Sequence, residues 1–187
     1  MNENMVRLFI SVSLPGELKE RIAAFQQQLR RLDGDIRWAR PETMHLTLKF
    51  LGDVESGRVS SLKQALEKAA TEISPFTVRL AGTGRFPMKG RPRVLWIGID
   101  EGADELAGLA RGIDDQLAAL KFPGEEHPYS AHITLGRVRS ERRIDTILAA
   151  LEGGFPGGEF IVDSIHLMKS DLLPEGARHT ALSSIQL

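Results

Sequence analysis

Apolar positions along the chain alternate between two periods. Val6 to Val12 is apolar and partly β-branched, as in a buried strand, and Leu14-Pro15-Gly16 ends it. Leu18, Ile22, Phe25, Leu29 and Leu32 then recur at helical spacing; Pro15 suits the first turn and Asp33-Gly34-Asp35 the end. Ile36 to Ala39 reads as a short extended piece before Arg40-Pro41, and Met44 to Leu51 as a strand closed by Gly52-Asp53. Val59, Leu62, Leu66, Ala69 and Ile73 predict a second helix, stopped by Ser74-Pro75. Phe76, Val78 and Leu80 alternate with polar residues, as in a half-buried strand. Gly82 to Arg93, rich in glycine, proline and cations, predicts a hinge loop between two halves. Val94 to Ile99 is a buried strand, and Leu106, Leu109, Ile113, Leu117 and Leu120 a third helix. After a loop over Phe122 to Ser130 come a strand over Ala131 to Val138 and a short helix over Ile144 to Leu151. A strand over Phe160 to Met168, a turn over Leu173 to Gly176 and a last strand over Thr180 to Leu187 complete the chain.

This order repeats. Strand, helix, strand, helix, strand runs over about 6–80 and again over about 94–168. An internal repeat of this kind predicts an α+β fold of two similar lobes. Each lobe carries a mainly antiparallel sheet and outer helices, and a pseudo-two-fold places a cleft between them. The last strand, 180–187, has no counterpart and joins one of the lobes, so residues 1–187 read as a single domain.

The central strand of each repeat holds one motif: His45-Leu46-Thr47-Leu48 and His132-Ile133-Thr134-Leu135, 87 residues apart from His to His. Side chains alternate along a strand, so His and Thr two apart share a face while the leucine and isoleucine enter the core. If both strands face one cleft, it holds two imidazoles and two hydroxyls. Imidazole has an ordinary pKa of about 6.5, so one ring can accept a proton while the other donates one. Such a pair can activate water on one side of a phosphorus and protonate the departing oxygen on the other. Thr47 and Thr134 can donate to the non-bridging oxygens. A strained five-membered cyclic phosphodiester suits that chemistry. Neither motif has a third ligand on its face, so no metal and no cofactor is expected.

Composition narrows the classes. The 187 residues are 42% hydrophobic and 26% charged, ordinary for a globular protein. The net charge of −1 argues against a global basic field, so any nucleic-acid contact is local. With no cysteine, disulfides, thiolate metal sites and cysteine nucleophiles are excluded. Met1 to Met5 lacks the basic and apolar regions of a signal peptide, and no apolar run is long enough to span a membrane. A cytoplasmic monomer without membrane contact is the expectation.

The two motifs resemble those of the 2H phosphoesterase superfamily, named for its paired His-x-Thr-x motifs. Trp38-Ala39-Arg40-Pro41-Glu42 with His45 to Gly52, and His132 to Arg137, are most similar to the RNA 2′,3′-cyclic phosphodiesterases, also called 2′-5′ RNA ligases. Arg7-Leu8-Phe9-Ile10, Pro92 to Trp96 and Ser170 to Gly176 resemble the same family, so the likeness spans nearly the whole chain. The resemblance implies a bilobal α+β fold and metal-free hydrolysis of a 2′,3′-cyclic phosphate, on RNA ends or nucleotides, to a 2′-phosphomonoester. It implies that His45 is the proton donor and His132 the acceptor; the near-identical motifs do not order them. Two departures stand out: Tyr129-Ser130-Ala131 precedes the second motif where the family often has proline, and His179 stands where an aromatic is common. Joining RNA ends through a 2′-5′ bond in the same cleft, and a non-catalytic module that binds RNA ends, are the alternative readings.

Supporting residues follow from parity and resemblance. Lys49 shares parity with His45 and Thr47 and is expected to line the cleft. Arg137 has the wrong parity, but a bulge at Gly136 and the family likeness favour a phosphate contact. Arg85, Lys89, Arg91 and Arg93 cluster around Phe86, where they can contact an RNA backbone while Phe86 stacks a base. Tyr129 and Trp38 are further stacking candidates. His127, His166 and His179 read as structural. Gly82-Thr83-Gly84 lacks the spacing of a nucleotide loop.

Overall fold

A computed structural model describes residues 4–125, 127–174 and 176–187. Met1, Asn2 and Glu3 of the N-terminal stretch and Glu175 of the familial ending, like Glu126, lie outside the described residues.

Among the described residues, nine strands form two sheets with four α-helices outside them. The elements are β1 (Met5–Ser13), α1 (Gly16–Arg30), β2 (Ile36–Trp38), β3 (His45–Glu55), α2 (Val59–Ala70), β4 (Phe76–Phe86), β5 (Val94–Glu101), α3 (Ala103–Ala118), β6 (Ile133–Val138), α4 (Ile144–Glu152), β7 (Gly158–Val162), β8 (Ser164–Leu173) and β9 (Gly176–Gln186). The first sheet has the order β3-β1-β8-β9 and the second β2-β6-β5-β4-β7, with antiparallel neighbours throughout.

The two repeats are interleaved. The first supplies β1 and β3 to the first sheet but β4 to the second; the second supplies β5 and β6 to the second sheet but β8 to the first. The helices cross as well. From the first repeat, α1 lies on the second sheet, where Gln26 is buried and donates through Nε2 to the carbonyls of Leu135 (2.7 Å) and Ala39 (3.0 Å). From the second repeat, α3 packs on β3 and on α2. A buried amide donor costs free energy unless paired, so Gln26 fixes α1 to β6 as well as filling space. Leu46, Leu62, Leu66, Leu106, Leu109 and Ile113 are fully buried, as are Leu95, Ile97, Ile133 and Leu135 of the second sheet. The last strand pairs with β8 and closes the first sheet.

Two expectations change. The stretch Gly82 to Arg93 is not a hinge: β4 continues to Phe86 and pairs with β5 in the same sheet. Its glycines have a local cause at Gly84, where a Cβ would come within 2.3 Å of the Trp96 ring on the facing strand. The strand expected over Phe160 to Met168 is two strands in different sheets, divided at Asp163. Phe160 and Val162 are buried, then Ile165 and Leu167, so the parity of burial breaks at the division. Among the described residues no helix is long and apolar enough to cross a membrane.

Candidate active site

The motif strands β3 and β6 come from different sheets and meet across a cleft of about 790 Å³, lined by His45, Thr47, His132 and Thr134 among others. Both strands bulge at equivalent places. Opposite β1, Thr47 pairs with Ser11 and Lys49 with Ile10, leaving Leu48 as the extra residue. Opposite β5, Thr134 pairs with Trp96 and Gly136 with Leu95, leaving Leu135 extra. A bulge reverses which residues face which side. Leu48 and Lys49 are therefore both buried, and Phe50 points into the cleft; on β6, Leu135 and Gly136 are buried and Arg137 points into the cleft. Gly136 is required where β2 crosses: a Cβ there would stand 2.7 Å from Cγ2 of Ile36.

Each imidazole is held in the same way. His45 Nδ1 lies 2.7 Å from the carbonyl of Thr43, and His132 Nδ1 lies 2.8 Å from that of Ser130. A carbonyl only accepts, so Nδ1 carries the hydrogen and Nε2 is left with the free lone pair in each neutral ring. Thr43 is placed by the one-turn 3₁₀ helix Pro41–Thr43, whose Arg40 carbonyl accepts from the Thr43 amide at 2.9 Å. The His45 ring stacks on Phe9 (centroids 4.7 Å apart) and meets the edge of His179 at 5.2 Å. The His132 ring stands edge-on to Phe86 at 5.1 Å.

Burial dominates the titration of both rings. It pulls His45 down to about 4, against the Thr43 carbonyl, which raises it; the nearby His179, Lys19 and His132 lower it further. Burial also lowers His132, opposed by the Ser130 carbonyl and reinforced by Arg137. His179 is lowered by burial and by Arg40.

Arg7, Arg37, Arg40 and Arg137 line the cleft, and no carboxylate is among its described lining residues. The cleft is therefore locally cationic in a chain of net charge −1, and it suits an anion. Among the described residues no group of three or more His, Cys, Asp or Glu is placed to hold a metal ion.

The other expected residues fall in different places. Lys49 does not line the cleft: the bulge turns it to the helix side of the first sheet, where Nζ meets Asp114 Oδ1 at 2.7 Å and donates to the Pro123 carbonyl at 2.9 Å. Phe86 packs on Trp96 and buttresses the His132 ring from outside the lining residues. Arg93 is exposed and stands apart from the cleft lining; it contributes its backbone, donating to Phe86 and accepting from Val138. The Tyr129 hydroxyl donates to the Thr47 carbonyl at 3.0 Å, and burial raises its pKa. Tyr129 thus ties the loop before the second motif to the strand of the first. Of the cationic loop, Arg85 holds the Gly90 carbonyl and Arg91 meets Glu141. Trp38 does line the cleft. Phe9, Arg7, Arg37, Arg40, Phe50 and Leu172 line it as well, and so does His179, which the sequence reads as structural but which meets the His45 ring in the cleft. The only sequence signals for some of them were the flanks of the first motif and the unusual His179.

Known proteins resemble this chain in sequence and in fold. The family model described as LigT-like phosphoesterase matches the chain twice, over residues 12–96 and 97–179, one motif in each match. A Methanothermobacter thermautotrophicus protein named RNA 2′,3′-cyclic phosphodiesterase is 31% identical over 185 residues, covering 97% of this chain and 99% of that one. A Thermus thermophilus protein of the same name is 33% identical, covering 97% and 90%. Among solved structures, Escherichia coli LigT complexed with 3′-AMP has a TM-score of 0.79 at 26% identity, with 98% of both chains covered.

Proposed function

The chain belongs to the LigT-like phosphoesterase family, and from that premise we propose that it is an RNA 2′,3′-cyclic phosphodiesterase that works without metal through His45 and His132. The observation that carries the reading is the matched pair of rings, each held through Nδ1 by a carbonyl two residues earlier, in a cleft lined by arginines. His132 Nε2 takes a proton from water as the oxygen attacks phosphorus. The P–O3′ bond breaks, and His45 delivers the proton on its Nε2 to O3′. The products are a 2′-phosphomonoester and a free 3′-hydroxyl. Thr47 and Thr134 donate to the non-bridging oxygens, and Arg137 offsets their charge. The substrates are RNA ends or nucleotides carrying the cyclic phosphate, related to what the named relatives act on.

The test is to incubate purified protein and 2′,3′-cyclic AMP with EDTA and follow the product by phosphorus NMR. A 2′-monophosphate is expected. A 3′-monophosphate would reverse which bond the site aligns. Activity appearing only on adding a divalent metal would overturn the acid–base roles.

The lowered imidazoles set the pH dependence. The acceptor must be neutral, so rate is lost as pH falls through the pKa of His132. The donor must be charged, so rate is lost as pH rises through that of His45. Both lie below the ordinary value, His45 at about 4. The kcat/KM profile, which reports the free enzyme, is expected to be a bell with its maximum on the acid side of pH 6.5. A bound phosphodiester anion stabilises charged His45, so the alkaline limb of kcat is expected at higher pH than that of kcat/KM. Coincident limbs, or a monotonic profile, would count against the pair.

A further inference from the structure

The strand β1 lies inside the first sheet, with β3 on one side and β8 on the other. Phe9 lines the cleft, and Ser11, two residues on, shares its face. The register sets Thr47 of β3 directly opposite Ser11 on one side and His166 of β8 directly opposite it on the other. Ser170 and Leu172 of β8 line the cleft, and His166 has their parity. A row Thr47–Ser11–His166 therefore crosses the cleft face of the sheet and begins at a motif threonine.

Ser11 is 1% exposed, and among the described residues neither its Oγ nor the buried Nδ1 of His166 has a hydrogen-bond partner. The ladders on both sides take up the backbone of β1. A buried hydroxyl left unpaired costs free energy, and nearly all such groups in folded proteins are satisfied. Side chains directly opposite each other on neighbouring strands have Cβ atoms about 4.5–5.5 Å apart. Rotations about χ1 therefore bring Ser11 Oγ within reach of Thr47 Oγ1 and His166 Nδ1. Thr134, at the matching place of the second motif, has no such neighbour. Opposite it on β5 is Trp96, whose ring lies over Gly84 on the far strand, β4.

We infer that Ser11 and His166 are positioning residues for the Thr47 hydroxyl. His166 Nδ1–H donates to Ser11 Oγ, Ser11 donates to Thr47 Oγ1, and Thr47 donates to a non-bridging oxygen of the phosphate. The anion sets this direction. Once the single hydroxyl hydrogen of Thr47 points at it, Oγ1 can only accept, and the same holds one step back at Ser11. Hydrogen bonds that run one way polarise one another, so the row strengthens as charge builds on the phosphate oxygens. The inference rests on the cyclic phosphodiesterase reading and adds the two buried side chains that aim one of its donors.

The experiment is a double-mutant cycle between Ser11→Ala and Thr47→Val, read as kcat and KM on 2′,3′-cyclic AMP. Ser11→Ala removes a single oxygen, and its urea midpoint checks that the fold persists. Its kcat is expected to fall about 3- to 10-fold, the scale of one hydrogen bond, with KM little changed. Thr47→Val keeps the outline of the side chain and is expected to lower kcat by more. Adding Ser11→Ala to Thr47→Val is expected to cost nothing further, because the hydroxyl it aims is gone. His166→Ala should lose as much as Ser11→Ala. His166→Asn, whose amide N–H sits close to the position of Nδ1, should hold the wild-type kcat. Ser11→Ala with a wild-type kcat overturns the inference, and His166→Ala with a wild-type kcat overturns it for His166. An equal loss from Ser11→Ala in both backgrounds is the mark of disturbed packing and also overturns it. Thr47→Val with a wild-type kcat removes the hydroxyl from the reaction and overturns the row alone. Wild type inactive on cyclic AMP overturns the phosphodiesterase reading, and the row with it.

Discussion

Replacing either motif histidine by asparagine is expected to lower kcat about 10³–10⁴-fold, the scale of a lost general acid or base. Asparagine is the informative replacement because its amide N–H sits close to the position of Nδ1. It can keep the hydrogen bond to the carbonyl of Thr43 or Ser130 that orients each ring. It lacks Nε2, the atom that would exchange the proton. Circular dichroism and Tm should stay close to wild type for His132→Asn. His45→Asn leaves some space beside Phe9 and His179 and should lose modest stability. The two roles separate with a p-nitrophenyl phosphodiester, whose leaving group departs without a proton. His45→Asn should recover most of its rate on that substrate, and His132→Asn should not. Recovery in the opposite variant would exchange donor and acceptor. Residues acting as a unit are not additive, so the double variant should be little worse than the poorer single one. A single variant retaining a tenth of the wild-type rate on cyclic AMP would remove that histidine from the mechanism.

Local patterns carried much of this architecture. Leu18 to Leu29 and Leu106 to Leu117 recur at the spacing of a helix with one buried face, and all four helices occur where that period is present. The two His-x-Thr motifs stood out because alternation places His and Thr on one face, and the cleft receives both pairs. What stayed hidden is set by contacts distant in sequence. Nothing local says that β4 leaves the sheet of β1 and β3, or that β8 enters it, since each strand is apolar on the face it buries in either sheet. Lys49 and Arg137 make the sharper case. For Arg137 the adjacent glycine marked the bulge; on β3 the extra residue is Leu48, with no glycine beside it, and parity therefore pointed Lys49 the wrong way. The arginines of the cleft were equally hard to find, because Arg40 becomes a cleft residue only when the β8–β9 hairpin brings the Ala177 carbonyl to its guanidinium.

The misplaced lysine carries the largest expected effect on stability. Lys49→Met keeps the volume and the apolar stem of a side chain that is 3% exposed, but removes the ammonium. It leaves Asp114 without its 2.7 Å partner and the Pro123 carbonyl without a donor. Breaking a buried pair from one side costs about 3–5 kcal/mol. Asp114 is a quarter exposed and can turn to water, so a loss of about 2–3 kcal/mol is expected. It should be read from the midpoint of urea unfolding at an unchanged m-value. Lys49→Met with Asp114→Asn removes the charge stranded at Asp114 and should recover part of the loss; no recovery would mean that the contacts of Lys49 with the Pro123 carbonyl and with Glu125, 3.4 Å away, hold the site rather than the pair with Asp114. Activity should fall as well. Pro123, Tyr129 and Ser130 belong to one connection between α3 and β6, and Ser130 supplies the carbonyl that holds His132. Lys49 and Tyr129 fasten that connection to the two sides of the Leu48 bulge, so the first motif strand sets the position of the second histidine. The effect should therefore appear in kcat more than in KM, and Tyr129→Phe should show the same split with a smaller loss of stability, about 1 kcal/mol. A Lys49→Met protein as stable as wild type, with an unaltered kcat, would make this buried pair incidental to both the fold and the cleft.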